Sequence, residues 1–175
     1  MARFVAFLRA VNVGKRRVAM PTARRVLAEL GFDQVGSYAN SGNLMFSAAG
    51  KSSVHEGAIH AALEAEFGFE LTTFVRTASQ VKALATAKPF GAIASGHTHF
   101  AVLTFRPLSA TEKQAVEALS NDHDEVVVLG RDVHWLIRSR STETTLGPKK
   151  WLQALPDNPT TARNTTMLTR LADIL

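Results

Sequence analysis

Residues 4–17, FVAFLRAVNVGKRR, join a short apolar segment to a polar, basic, glycine-containing loop, and this junction decides how the rest of the chain is read. Both alternating sets in the apolar part, Phe4, Ala6, Leu8 and Val5, Phe7, are hydrophobic. That pattern predicts a first strand over Arg3–Arg9 covered on both faces. Arg9, Asn12, Lys15, Arg16 and Arg17 then fall within nine positions, where a strand stops and before a helix begins. A ligand is expected at this loop.

Working outward, Pro21 suits the first turn of a helix that carries Ala23, Val26, Leu27 and Leu30 at helical spacing, closed by Gly31 with Phe32 packing back. Two short strands, Gln34–Ala39 and Leu44–Ser47, flank the turn Asn40, Ser41, Gly42, Asn43 and predict a hairpin. Ser53 and Glu56 have the spacing of a capping box for a helix running to Phe67, stopped by Gly68. Phe69–Arg76 alternates as a fourth strand, and Thr77 or Ser79 starts a helix with Val81, Leu84 and Ala85. The order is βαββαβ, then α.

Lys88–Gly96, with Pro89, Gly91 and Gly96, reads as a linker. The order then partly repeats: a strand over His99–Phe105, a helix capped by Ser109 and Glu112, and a hairpin of Glu125–Leu129 with Val133–Arg138. After a polar loop at Ser139–Thr145 comes a short helix from Pro148. Pro156 and Pro159 break the chain before a final helix with Leu168, Leu171, Ile174 and Leu175 on its apolar face. The expected organisation is an N-terminal half at 1–87, a linker at 88–98 and a C-terminal βαββα half with terminal helices at 99–175. The repeat is one of element order, with no residue-level match between the halves.

A βαββαβ order is most economically satisfied by a ferredoxin-like layer: α+β, mainly antiparallel, strands ordered 4-1-3-2, helices on one face. That geometry brings the loop after strand one, the Asn40–Asn43 hairpin and the helix start near Met20 to one rim. Backbone N–H groups, nearby cations and Asn side chains then compose an anion site. The corresponding rim of the second half holds Arg106 and the Gly130, Arg131, Asp132 turn.

The blocks FLRAVNVGK, MPTARRVLAELGF, SYANSGNLMF and TARNTTMLTRL, in that order, resemble the uncharacterised bacterial family called domain of unknown function 1697. The resemblance implies a duplicated α+β fold and no established activity. Phe7, Leu8, Arg9, Asn12, Val13 and Gly14 match its FLRGINVGG pattern, with Ala10 and Lys15 where it has glycines. Tyr38, Ser41, Gly42 and Asn43 match its tyrosine and SGN hairpin. Thr161, Arg163 and Asn164 match a T-x-R-N element, whereas Thr165 and Met167 depart from the tryptophan and threonine that follow there. The resemblance thus adds Gly14, Tyr38, Arg163 and Asn164 to the ligand-binding candidates Arg9, Asn12, Lys15, Ser41 and Asn43.

Composition narrows the function classes. The chain of 175 residues has no cysteine, which removes disulfides, thiolate nucleophiles and cysteine-ligated metals. A chain this long buries roughly 70% of the surface its unfolded form exposes, so it folds without staples. Its first apolar run is too short for a signal peptide and no run approaches ~18 apolar residues, so a cytoplasmic protein without membrane association is expected. The net charge of +5 and a pI near 10.0 favour anionic partners.

Complete catalytic motifs are missing. Gly50, Lys51 and Ser52 sit where a P-loop would, but Met45 replaces the required first glycine. His97 and His99 have no third ligand at metal spacing, so no metal or cofactor is expected. Asp122, Asp124 and Glu125 read as a solvated turn. The leading expectation is a binding module for an anionic, phosphate-bearing ligand, nucleotide or nucleic acid, at the rim of Arg9, Asn12, Lys15, Ser41 and Asn43. A small enzyme acting on a phosphorylated metabolite, with Ser41 or Tyr38 in proton transfer, is the second reading, and a homodimeric scaffold paired through a sheet edge is the third.

Overall fold

A computed structural model describes all 175 residues, Met1–Leu175. The chain divides into two units, one formed by Met1–Ala83 with Leu171–Leu175 and the other by Leu84–Arg170. The first contains β1 (Ala2–Leu8), α1 (Met20–Glu29), β2 (Asp33–Ser37), β3 (Asn43–Ala48), α2 (Ser52–Phe67) and β4 (Thr73–Thr77), followed by α3 (Ala78–Thr86). Its four strands form an antiparallel sheet in the order β2-β3-β1-β4, which is the 4-1-3-2 order expected of the ferredoxin-like layer.

The strand with two apolar faces does lie inside. Phe4, Ala6 and Leu8 join Val26 and Leu27 of α1 and Ile59 and Leu63 of α2 in one core, while Val5 and Phe7 on the opposite face are also fully buried. Phe32 stacks on Phe46 at 4.5 Å, with Phe4 stacked on the same ring at 5.4 Å. Burying each such ring contributes about 1.5–3 kcal/mol. Gly31, at φ +82°, ends α1, and the Phe32 amide donates to the Leu27 carbonyl, so the expected helix stop is present.

The second unit holds β5 (Thr98–Thr104), α4 (Ala110–Glu117), β6 (Asp124–Leu129), β7 (Asp132–Ile137), a 3₁₀ turn at Ser141–Glu143, α5 (Pro148–Ala154), β8 (Thr160–Asn164) and, up to Arg170, α6 (Thr165–Ala172). Its sheet runs β6-β7-β5-β8, the same order as the first. The C-terminal half is therefore a complete βαββαβ repeat, where the sequence indicated only helices after Pro159. β8 escapes a hydrophobic pattern because its buried positions are Thr161 and Arg163. Period-2 burial is present, but polar residues carry it.

The repeat of element order extends to strand register, although the residues at matching positions mostly differ. Phe4 pairs with Phe46 and Thr77, and Phe100 pairs with Trp135 and Asn164. Aligning these rows superposes Val5 on Ala101, Met45 on His134, Asn43 on Asp132 and Arg76 on Arg163.

Two local expectations are corrected. Ser109 and Glu112 form the capping box of α4 with both bonds present, but Ser53 and Glu56 do not cap α2, whose N-cap is Lys51 without a side-chain bond. Glu56 is buried and accepts from the Val75 amide of β4 at 2.8 Å instead. The helix start has lost its cap because the outer edge of the sheet takes the carboxylate. Asp124 is fully buried rather than solvated, accepting from Trp135 Nε1 (2.9 Å), Thr144 Oγ1 (2.6 Å) and the Thr145 amide and hydroxyl (2.9 and 2.7 Å). Burial alone raises its carboxyl pKa, yet these donors outweigh burial and hold it below the ordinary value.

Candidate functional site

The strand register places the ends of β1 and β2 and the starts of β3 and β4 at one rim of the first unit, and hydrogen bonds tie the loop before α1 to it atom by atom. The Leu8 amide donates to the Gly42 carbonyl at 2.8 Å, joining β1 to the hairpin. Asn12 spans three elements: its Nδ2 donates to the Asn40 carbonyl (3.2 Å) and its Oδ1 accepts from the Val18 amide (3.3 Å) just before α1. The Arg9 amide donates to the Thr72 carbonyl at 2.9 Å, which adds Phe69–Thr72 as a wall that the sequence reading did not include.

The loop itself is held in an unfavourable conformation. Ala10 (φ +55°) and Asn12 (φ +58°) are left-handed non-glycine residues, with Gly14 (φ +60°) two positions on. Strain of this kind costs on the order of 1–3 kcal/mol per residue and persists only when neighbours over-determine it. Here the two bonds of Asn12 do so. Gly42 completes the junction, because at φ +77° a Cβ there would lie 3.0 Å from Val11 Cγ1 and 3.1 Å from Leu8 Cβ.

The candidate residues separate by exposure. Arg9, Lys15, Arg16 and Arg17 are exposed, and none forms an ion pair with a carboxylate. Arg16 lies over the Phe69 ring at 5.4 Å, while Arg17 Nη1 turns back on the carbonyls of Gly14 and Arg16, both at 2.8 Å. Arg24 on α1 donates to Ser37 Oγ at the end of β2 (2.7 Å). Ser41 is exposed at the hairpin tip, but Asn43 beneath it is fully buried. Asn43 Nδ2 donates to Ser41 Oγ (2.8 Å) and to the Tyr38 carbonyl (3.0 Å), so Asn43 shapes the turn from below. Tyr38 is half-buried, with its amide bonded to the Asn43 carbonyl at 3.0 Å.

Arg163 and Asn164 lie on β8 in the other unit, at the end of their sheet away from the loop after β5. Arg163 is buried, donates to Thr161 Oγ1 (2.8 Å) and the Ala162 carbonyl (2.9 Å), and has its pKa lowered to about 10 by burial. Asn164 Oδ1 accepts from the Thr166 amide at 2.8 Å, starting α6. Arg76 is the equivalent buried residue in the first unit, and the sequence reading missed it because FVRT reads as an ordinary alternating strand.

In the matching rim of the second unit both cations are engaged within the fold, Arg106 by a carboxylate and Arg131 by backbone carbonyls. Arg106 makes a two-pronged contact with Glu112 (2.8 Å each), which holds that carboxyl down to about 2 through the Arg106 bond and the Ser109 amide. Arg131 is bonded to the carbonyls of Thr104 and Phe105. Asn158 and Arg106 exchange backbone–side-chain bonds at 3.0 Å in both directions. An open groove of about 430 Å³ along β6, lined in part by Ser120 and Asp122, has its cation Arg138 matched by Glu125 at 2.5 Å.

Histidines fall elsewhere than a metal site. His97 precedes β5, and His99 Nε2 lies 2.9 Å from His134 Nδ1 inside the second sheet. No group of three or more His, Cys, Asp or Glu residues is arranged to hold a metal ion. No helix is long and apolar enough to cross a membrane.

Fold and register together define a duplicated α+β protein of two ferredoxin-like sheets. The chain belongs to the family described as Protein of unknown function (DUF1697), which matches residues 1–134 and so includes the first rim but not Arg163 or Asn164. A solved structure of a conserved bacterial protein from Streptococcus pneumoniae is similar at a TM-score of 0.79 and 22% identity, covering 100% of this chain and 98% of that one. That likeness shows the fold. No curated protein matches the chain.

Proposed function

We propose that the protein is a binding module for a phosphate-bearing ligand, held at the rim of the first unit. The observation that carries this reading is the contrast between two equivalent rims. Folding alone requires no unpaired cations at this position, since the second rim matches Arg106 with Glu112 and Arg131 with backbone carbonyls. The first rim leaves Arg9, Lys15 and Arg16 exposed beside a loop fixed in a strained conformation. Clustered cations without carboxylate partners favour an anion.

Within the rim, Arg9 and Lys15 supply charge, Ser41 supplies a hydroxyl, and Asn12, Gly14, Gly42 and Asn43 hold the shape. Tyr38 has no histidine or carboxylate bonded to it, so proton transfer has no support there. A cytoplasmic, bacterial setting with nucleotides and nucleic acids fits this chemistry and the absence of cysteine.

The test is calorimetric or anisotropy titration of common nucleotides, short DNA and short RNA at low salt. Saturable binding that is lost in Arg9→Ala/Lys15→Ala supports the proposal. Absence of saturable binding to all of them, or binding unaffected by that double substitution, overturns it.

A further inference from the structure

Resting on the anion-binding reading, we infer that the ligand is the sugar–phosphate backbone of a nucleic-acid duplex, gripped by a row of cations running across the first sheet's rim without contact to base edges. The row is set by strand order. Arg24 is tied to Ser37 at the end of β2, Arg9 stands at the end of β1, and Arg16 rests over Phe69 just ahead of β4. Because the order is β2-β3-β1-β4, these anchors are separated by three strand spacings. At about 4.8 Å each, that is a row of about 14 Å. Successive phosphates of one strand advance about 3.4 Å along a duplex axis while also winding around it, which roughly doubles their separation in space, so the row matches about three of them. A single phosphate would engage one part of the row and leave the rest unused.

The remaining charges agree with a polymer. Lys15 and Arg17 stand on the loop between the anchors, and no acidic residue precedes Glu29 in the chain. Glu66 on the neighbouring helix is matched by Arg25 at 2.5 Å. Glu70, in the segment beside Arg16, accepts from the Thr72 hydroxyl at 3.2 Å and is the one carboxylate on that wall.

Single strands are disfavoured by the aromatic inventory. Proteins that hold unpaired bases do so with exposed aromatic rings. Here Phe4, Phe7, Phe46 and Phe74 are all fully buried, the Phe69 ring is covered by Arg16, and Tyr38 is half-buried, so the rim offers no pair of exposed rings on which successive bases could stack. Bases therefore stay paired, and recognition is independent of sequence.

The experiment measures anisotropy of a labelled 16-base-pair duplex, its single strand, and a nucleoside triphosphate across a salt series, with circular dichroism of every variant. Three neutralised phosphates give a slope of log K against log salt of about −2.7, equal for two unrelated duplex sequences. The exposed-site substitution Lys15→Ala lowers the magnitude of the slope by about 1. A triphosphate that saturates while the duplex does not, or a single strand that binds tighter than the duplex, overturns this inference and leaves the rim's anion binding standing. Failure of all three ligands overturns both.

Discussion

Arg76 and Arg163 occupy the same register position in the two sheets, opposite Val5 on β1 and Ala101 on β5, and each donates Nη1 to the carbonyl of the residue before it, at 3.1 and 2.9 Å. Both are buried at the outer strand of their sheets, where the carbonyl facing away from the neighbouring strand would otherwise be unpaired. The duplicated arginine is thus an edge-closing device of the fold. Truncating Arg163 to Ala removes donors to Thr161 and Ala162 in a buried setting, and a loss of about 2–4 kcal/mol in urea unfolding is expected. Arg163→Lys restores a charge but not the planar fork, so it recovers less than half of the loss.

The His99–His134 contact makes stability depend on pH. Burial, and then the neighbouring His134, lower the His99 pKa to about 4, while burial lowers His134 against the opposing pull of Asp132. The unfolded histidines titrate near 6.5, so between that value and about 4 the unfolded chain binds more protons and stability falls as the pH drops. For His99 the shift corresponds to about 3 kcal/mol. Urea midpoints at pH 7 and pH 4.5 measure it, and His99→Phe with His134→Leu is expected to flatten the difference relative to the parent.

The N-terminal sheet was legible because its buried positions carry apolar side chains at strand and helix period, with Gly31 and Gly68 marking the helix stops. The rim followed from topology once the element order was known. β8 was not legible, since Thr161 and Arg163 occupy the positions where a strand's buried face normally shows hydrophobes. Glu56 and Asp124 misled for a related reason: each has a local reading, cap or solvated turn, that a partner distant in sequence overrides. Their partners, Val75 and Thr144–Thr145, lie 19 and about 20 residues away, beyond any local pattern.

Gly42 and Gly130 provide a matched pair for the hairpin turns. Both have positive φ, +77° and +66°, but only Gly42 has neighbours in the way of a Cβ. Gly130→Ala is expected to cost about 1 kcal/mol from backbone conformation alone, and Gly42→Ala about 1–3 kcal/mol more from the clash with Val11 and Leu8. Pairing Gly42→Ala with Val11→Ala recovers part of that increment. Thermal unfolding of the three variants checks the difference, which reports how tightly the loop after β1 is packed on the hairpin.

Pairing of a second copy along β6 is opposed by side chains that cover that edge. Along the edge facing away from β7, the Asp124, Val126 and Val128 amides donate to Asn121 Oδ1 (3.0 Å), Ser120 Oγ (2.9 Å) and Glu117 Oε1 (3.3 Å). The Asp124 carbonyl accepts from the Asn121 amide at 2.7 Å, and the Val126 carbonyl from Ser120 Oγ at 3.2 Å. The strand DEVVVL is rich in valine and would otherwise be a template for pairing with a second copy. Ser120→Ala with Glu117→Ala frees two amides and a carbonyl while leaving the exposed Leu129 in place. Sedimentation velocity over a concentration series is expected to show a larger oligomer for the double variant than for the parent at matched concentration. Identical sedimentation of the two proteins would show that these caps do not restrain β6, and pairing through that edge would then have to be limited by its length and twist.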